Sequence, residues 1–485
     1  MSAIITEKFR QHNATQFFES FSEASKSTYY LFVGKATAYT SGTTGGSDSS
    51  PPTPSDSPTD TEFYAWDSML AAKNVTSSDI TYAIPRRAWA NGTTYDMYDD
   101  NISSSSTTTS GASNLYDSTF YFMTSDYRVY KVLDNNGGTA YSGAEPTSTS
   151  TSPFELGGYV LKYMYQVTTS EAAKYLTSDF IPVSDDSTVS AAAVDGKIES
   201  IKVTAGTGYT NGTYYAAIYG DGTSAGTSSG GIIRITVSDN AIQSFGLTAG
   251  TDTTIHSGGA AYTFGTVNLG SGYTFSDSGL SSASNMGGSG GAIEVVISPK
   301  NGHGNSAIVE LGGHYVMSAT TLTQAENDDI TTSNDFRQVG LVVDPTNYGT
   351  STVATASTRR QTFVVKAASV SGTFEVDEKI TQATTGAVGK VVEYDSTLSL
   401  LYFQQERFGD FGTNSTTGDH SVFEGTNVIT GATSSATFTP SSDSETITLA
   451  NNNTIATTSG YANPELQPDS GNIVYLENRK PIQRD

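Results

Sequence analysis

The stretches "FEVDEKITQATTGAV" (374–388) and "FEGTNVITGATSSAT" (423–437) match at Phe, Glu, Ile, Thr, Ala and Thr, at a constant offset of 49 residues. No other feature restricts the fold as much. A short unit rich in Thr, Val and Ile, bounded by glycine turns, cannot bury an apolar face alone and must pair with its twin. The repeat therefore predicts a small domain built by duplication over 365–450, a β-barrel or a sandwich. Earlier, "KIESIKVTAGT" (197–207) recurs as "AIQSFGLTAGT" (241–251), and "GTGYT" (206–210) recurs as "GSGYT" (270–274). Alternating apolar residues between glycines predict a second small β-domain over 195–298.

Outside these blocks the texture is more aromatic. "TYYLFVG" (28–34), "SDYRVYKVL" and "GGYVLKYMYQV" read as strands with large side chains on both faces. Ala14, Phe17, Phe18 and Phe21 lie at helical spacing and predict a helix near 14–24. "DTEFYAWDSMLAA" predicts another over 60–72, capped by Asp60, and Thr168 with Glu171 has capping-box spacing for a third at 170–177. The expected architecture is mainly β: a multi-sheet β-sandwich scaffold (1–194, 299–364 and 451–485) into which the two repeat domains are inserted. The composition agrees, with 48 Gly, 28 Tyr and 21 Phe but only 15% charged residues.

Charge excludes whole classes of partner. A net charge of −24 leaves no basic surface for nucleic acid and opposes an anionic membrane. No apolar run of transmembrane length and no secretory signal pattern is present, so no membrane insertion is expected. With no cysteine, disulfides, thiolate metal sites and thiol nucleophiles are ruled out.

Signatures of catalysis are sparse. HExxH, the P-loop and the EF-hand pattern are all missing, so no cofactor, metal or catalytic residue is expected. "GGSGG" (287–291) matches GxSxG but lacks the strand-before, helix-after context of a nucleophile elbow and reads as a flexible linker. His303 and His314 have a spacing used by no standard metal site and read as surface or core-edge residues. The carboxylate clusters "DMYDDN" (96–101) and "ENDD" (326–329) read as solvated turns.

"IPRRAW" (84–89) is the exception in an acidic chain. Arg86 and Arg87 stand together between Pro85 and Trp89, without the glycine loop or helix start of a phosphate clamp. Bidentate pairing to carboxylates and a guanidinium stacked on Trp89 would make Arg86, Arg87 and Trp89 a structural or assembly joint.

Five segments occur in one order: "PPTPSDSPTDTEFYAWDSM", "IPRRAW", "GGYVLKYMY", "FRQVGLVVDP" and "SGNIVYLENRKPI". That order resembles the baseplate wedge subunits of contractile-tailed bacteriophages of the large myovirus type. The resemblance implies a non-enzymatic structural virion protein, a homodimer that contacts other baseplate wedge proteins, with tail-fibre proteins as further neighbours. It would be made in the host cytoplasm and end in the tail baseplate. The two repeat blocks have no counterpart in the family pattern. That pattern also continues past "ENR-PI" into another β segment, whereas this sequence stops at Asp485, which leaves a missing edge strand and a tail outside this sequence as the two readings. A receptor-binding or fibre-attachment protein and a glycan-degrading tail hydrolase remain as alternative readings.

Overall fold

The computed structural model describes residues 6–24, 26–39, 46–55, 61–221, 230–270, 280–321, 334–405 and 421–482. "ENDD" (326–329), most of the second "GSGYT" copy, Asp60 and Asp485 lie outside them. The fold is mostly β, in several sheets, and the described residues include five short α-helices, of which Glu7–Glu19 is the longest. None of the helices is long and apolar enough to cross a membrane. The chain forms two compact units, Met1–Phe18 with Ile80–Ala319, and Glu19–Asp79 with Thr320–Asp485.

In the second unit an antiparallel sheet runs in the order Thr358–Arg360, Met69–Val75, Tyr29–Gly34, Phe336–Val343, Asn472–Ile482. It gathers "TYYLFVG", "FRQVGLVV" and "SGNIVYLENRKPI" side by side, and Trp66, Tyr30, Phe32 and Val342 fill one core against it. The helix expected over 60–72 stops at Ser68, and Met69–Val75 continues as a strand. Met, Leu and Ala favour helix locally, but pairing with Tyr29–Gly34 buries Met69, Leu70, Ala71 and Ala72 almost completely and overrides that preference. The helix expected at 14–24 sits earlier, at Glu7–Glu19; Phe21 lies beyond its end and stacks on Tyr29 at 4.1 Å.

The 49-residue repeat builds a closed barrel. Its halves are Phe363–Ser371, Lys379–Gln382, Ala387–Asp395 and Leu400–Gln404, Ile429–Gly431, Thr437–Pro440. Equivalent hairpins share one register: Ile380 faces Gly389 as Ile429 faces Phe438, and Thr381 faces Val388 as Thr430 faces Thr437. The halves meet where Thr381 pairs with its own repeat equivalent, Thr430, which puts a pseudo-two-fold axis through that pair. The remaining seam closes by pairing Phe363–Lys366 with Leu400–Phe403. Phe374 and its equivalent Phe423 both enter the barrel core. The symmetry breaks at Gly389, whose position in the other half is Phe438; Phe423 uses the space and packs at 4.8 Å on Phe403 instead.

In the first unit, Tyr121–Met123, Arg128–Asp134, Tyr159–Gln166 and Phe154–Leu156 form a four-stranded sheet buried on both faces. Tyr130, Val132, Tyr159, Leu161 and Tyr163 pack on one side, Val129 and Met164 on the other. Thr168 and Glu171 cap the helix Thr169–Tyr175 reciprocally, as their spacing predicts. The glycine-rich block supplies a sheet in the order Ala241–Ile242, Ile232–Ser238, Gly212–Gly220, Gly265–Val267, Ala292–Val296, Ser200–Thr204. Its repeat-equivalent residues Ile198 and Ile242, and Ile201 and Phe245, all enter one core, which Leu133 and Val160 share. "GGSGG" is no linker: Gly287–Ser289 pairs with Thr207–Tyr209. A side chain at Gly288 would meet the Tyr209 ring at 2.3 Å, on backbone with φ of 73°.

Candidate functional site

Strand Ile80–Pro85 delivers the arginines to the surface, pairing on one side with Phe180–Val183 and on the other with Tyr315–Ser318. The Arg86 amide donates to the Asp179 carbonyl at 2.7 Å, and its exposed guanidinium donates to the Thr177 carbonyl at 2.8 Å. Arg87 turns inward: it donates to the Tyr116 carbonyl at 2.8 Å and stacks 4.4 Å from the centre of the Tyr121 ring. Burial pushes the Arg87 pKa below its usual range, and the surrounding Tyr121, Asp117 and Asp96 oppose that shift. Its other terminal nitrogen is buried without a partner among the described residues.

Two expectations for this segment need correcting. Among the described residues neither guanidinium forms an ion pair; both satisfy backbone carbonyls at the ends of neighbouring strands and turns. Nor does Trp89 carry a cation. It packs edge-on against Tyr141 at 5.9 Å, while its amide donates to the Met123 carbonyl at 2.8 Å. Local sequence could not identify Tyr121, 34 positions on from Arg87.

His303 is not at the surface either. Lys131 and Lys162 are cross-strand neighbours on a wholly buried sheet face. Lys131 donates to Glu310 at 2.7 Å, contacts His303 Nδ1 at 2.8 Å and lies 3.9 Å above the Tyr98 ring. Lys162 reaches Glu199 at 3.3 Å. Glu310 also accepts the Gly304 amide at 2.7 Å. Burial, helped by the neighbouring lysines, drives the His303 pKa well below its ordinary value, so the ring is neutral at pH 7. Accepting from the Lys131 ammonium through Nδ1 leaves its proton on Nε2. The lone signal of this cluster in the sequence is a lysine in the middle of each of two aromatic strands. His314 sits apart, 3.4 Å from Glu7.

"DMYDDN" is solvated only at its end: Asp96 and Asp99 are buried, while Asp100 and Asn101 are exposed. Asp96 accepts from the amide and hydroxyl of Ser110 at 2.8 and 2.6 Å and from those of Thr119 at 2.8 and 3.0 Å. Burial raises its pKa, but those four bonds outweigh it and hold the carboxyl below the usual range. Asp99 pairs with Lys202, and Asp100 accepts the Ile297 amide at 2.9 Å. Asp134 differs: with one amide bond from Asn136 at 2.8 Å, burial pushes it up to about 6. Among the described residues no three His, Asp or Glu side chains converge as a metal site requires.

The geometry is that of a braced scaffold, in which charges are spent on holding loops to sheets. No curated protein matches the chain. Over residues 3–144, which contain the Pro-rich segment, the Trp66 helix and Arg86–Trp89, the chain is similar to the family of bacteriophage T4 Gp8, a baseplate wedge protein of a contractile-tailed phage.

Proposed function

We propose that the protein is a structural subunit of the tail baseplate, a wedge component that links neighbouring baseplate proteins during assembly and holds them in register until the sheath contracts. The family match over residues 3–144 carries this reading. The order of the five sequence landmarks supports it beyond the matched span, because three of them lie after residue 144. Work of this kind needs rigid, solvent-excluded bracing, and the doubly buried Arg128–Asp134 and Tyr159–Gln166 strands supply it. The subunit acts without catalysis, as a homodimer whose isologous contact leaves other faces for wedge and fibre proteins. It is made in the host cytoplasm and assembled into the virion.

Arg86, Arg87 and Trp89 form the assembly joint in this reading, with divided labour. Arg87 and Trp89 fix the segment from within, and exposed Arg86 presents a cation to an acidic neighbour. The glycine-rich block and the barrel are insertions. Each begins and ends on paired strands, Ser200 facing Val296 and Val364 facing Ala462, so a scaffold can accept either one without separating its own strands.

Locating the chain in the virion tests the proposal. Cryo-electron microscopy of particles carrying a tagged copy should show the added density in the baseplate ring. Density in the capsid, or confined to fibre tips, would refute the proposal.

A further inference from the structure

Beside the barrel's closing seam, the second unit contains a cavity of about 430 Å³ that the assembly reading does not use. A volume of this order is typical of small-molecule sites. Its walls combine two kinds of group. Trp66, Tyr348, Phe363 and Phe423 supply aromatic surface, and Tyr348 is 39% exposed. Phe363 is held by stacking on Phe403 at 5.5 Å, so this surface is rigid.

The second kind is uncharged and polar. Gln404 and Gln405 are buried in the wall and locked through their side-chain nitrogens, one to the Met69 carbonyl at 3.0 Å, the other to the Ser421 carbonyl. No described residue donates to their side-chain oxygens, which stay fixed as acceptors. Asn463 adds an exposed amide, and Asp67 and Asp469 add carboxylates. Among the described residues no Lys, Arg or His lines the cavity.

A ligand matched to these walls presents hydroxyl donors on its rim and an apolar face to the rings. It carries no negative charge, because no described residue of the wall would neutralise one. We propose that the cavity binds a neutral saccharide, with the C–H face of a pyranose ring on the aromatic surface and its hydroxyls donating to the fixed glutamine oxygens. A proline-rich peptide would use the rings but offer no donor to the glutamine oxygens, because proline has no backbone N–H.

Saturation-transfer NMR and titration calorimetry on the full chain would test this, using glucose, galactose, N-acetylglucosamine and their short oligomers. Sialyllactose and a proline-rich peptide serve as comparators. At least one neutral sugar should bind saturably, and sialyllactose no better than its neutral core. Tyr348→Ala and Asn463→Ala should each weaken binding by about tenfold or more without shifting thermal unfolding, since both positions are exposed. Absence of transfer to every neutral sugar, affinity unchanged in both variants, or binding of the peptide alone would overturn the proposal. The measurement reads binding by the isolated chain, so its outcome is separate from where the protein sits in the tail.

Discussion

At the residue scale, burial decides what each charged group does. Asp134 has a pKa of about 6 in the fold against 3.8 as a free side chain. Well below pH 3.8 it is protonated whether the chain is folded or not, and burying it is harmless. As pH rises toward 6 the unfolded chain ionises first, so stability falls through that window and levels off above it; the gap between the two values caps the loss at about 3 kcal/mol. Asp134→Asn keeps an acceptor for the Asn136 amide, so it should raise the unfolding temperature at pH 8 and leave it nearly unchanged at pH 3. Equal shifts at both pH values would show that charge is not the cause. Lys131→Met should cost ~3–5 kcal/mol, because it strands Glu310 without its cation. Adding Glu310→Gln to that variant should recover part of the loss in chemical denaturation. The two arginines should separate in the same assay. Arg87→Ala gives up the Tyr121 stacking and leaves the Tyr116 carbonyl unpaired, for a loss of about 2 kcal/mol. Arg86→Ala should stay within about 1 kcal/mol of the parent and instead weaken binding to a neighbouring baseplate protein.

At the scale of elements, legibility followed how local the determining contacts are. The helix Thr169–Tyr175 was readable because both halves of its cap lie three residues apart. The strands Tyr29–Gly34 and Tyr159–Gln166 were readable because β-branched and aromatic side chains on both faces leave little alternative. Met69–Val75 was misread as helix because its partner strand is about forty residues away, and pairing supplied what propensity did not. "GGSGG" was misread for a related reason: glycine signals freedom locally, yet here it is what lets the backbone pass against Tyr209. Gly288→Ala should therefore destabilise the first unit by about 2 kcal/mol or more, from both the left-handed backbone and the ring clash, measured as a drop in denaturant midpoint. An unchanged midpoint would mean that the Thr207–Tyr209 pairing adds nothing. The charge clusters were least legible of all, since Lys131, Glu310 and His303 meet only through the tertiary fold.

At the scale of the whole molecule, the two repeat blocks are not equivalent. The barrel core is drawn mainly from its own strands, whereas the glycine-rich block shares its core with Leu133 and Val160 of the four-stranded sheet. Replacing 205–291 with a two-residue Asn-Gly turn joins strands that already pair, but uncovers those two side chains; the shortened chain should be soluble only with Leu133 and Val160 made polar. The dimer expected from the family likeness should give a light-scattering mass of twice 51.0 kDa, and should tighten as salt screens a net charge of −24 per copy. A mass of one copy at every salt concentration would exclude it. The pseudo-two-fold symmetry of the barrel has a cost during folding. Each half presents the same seam, so a half from one chain can complete the barrel of another with nearly the same contacts, and two nascent chains can exchange halves. What favours closure within one chain is the turn over 395–399, where Asp395 accepts the amides of Thr397 and Leu398 and Ser399 takes a left-handed backbone. In any assembly that brings copies of this chain together, that turn favours closure of each barrel on its own polypeptide.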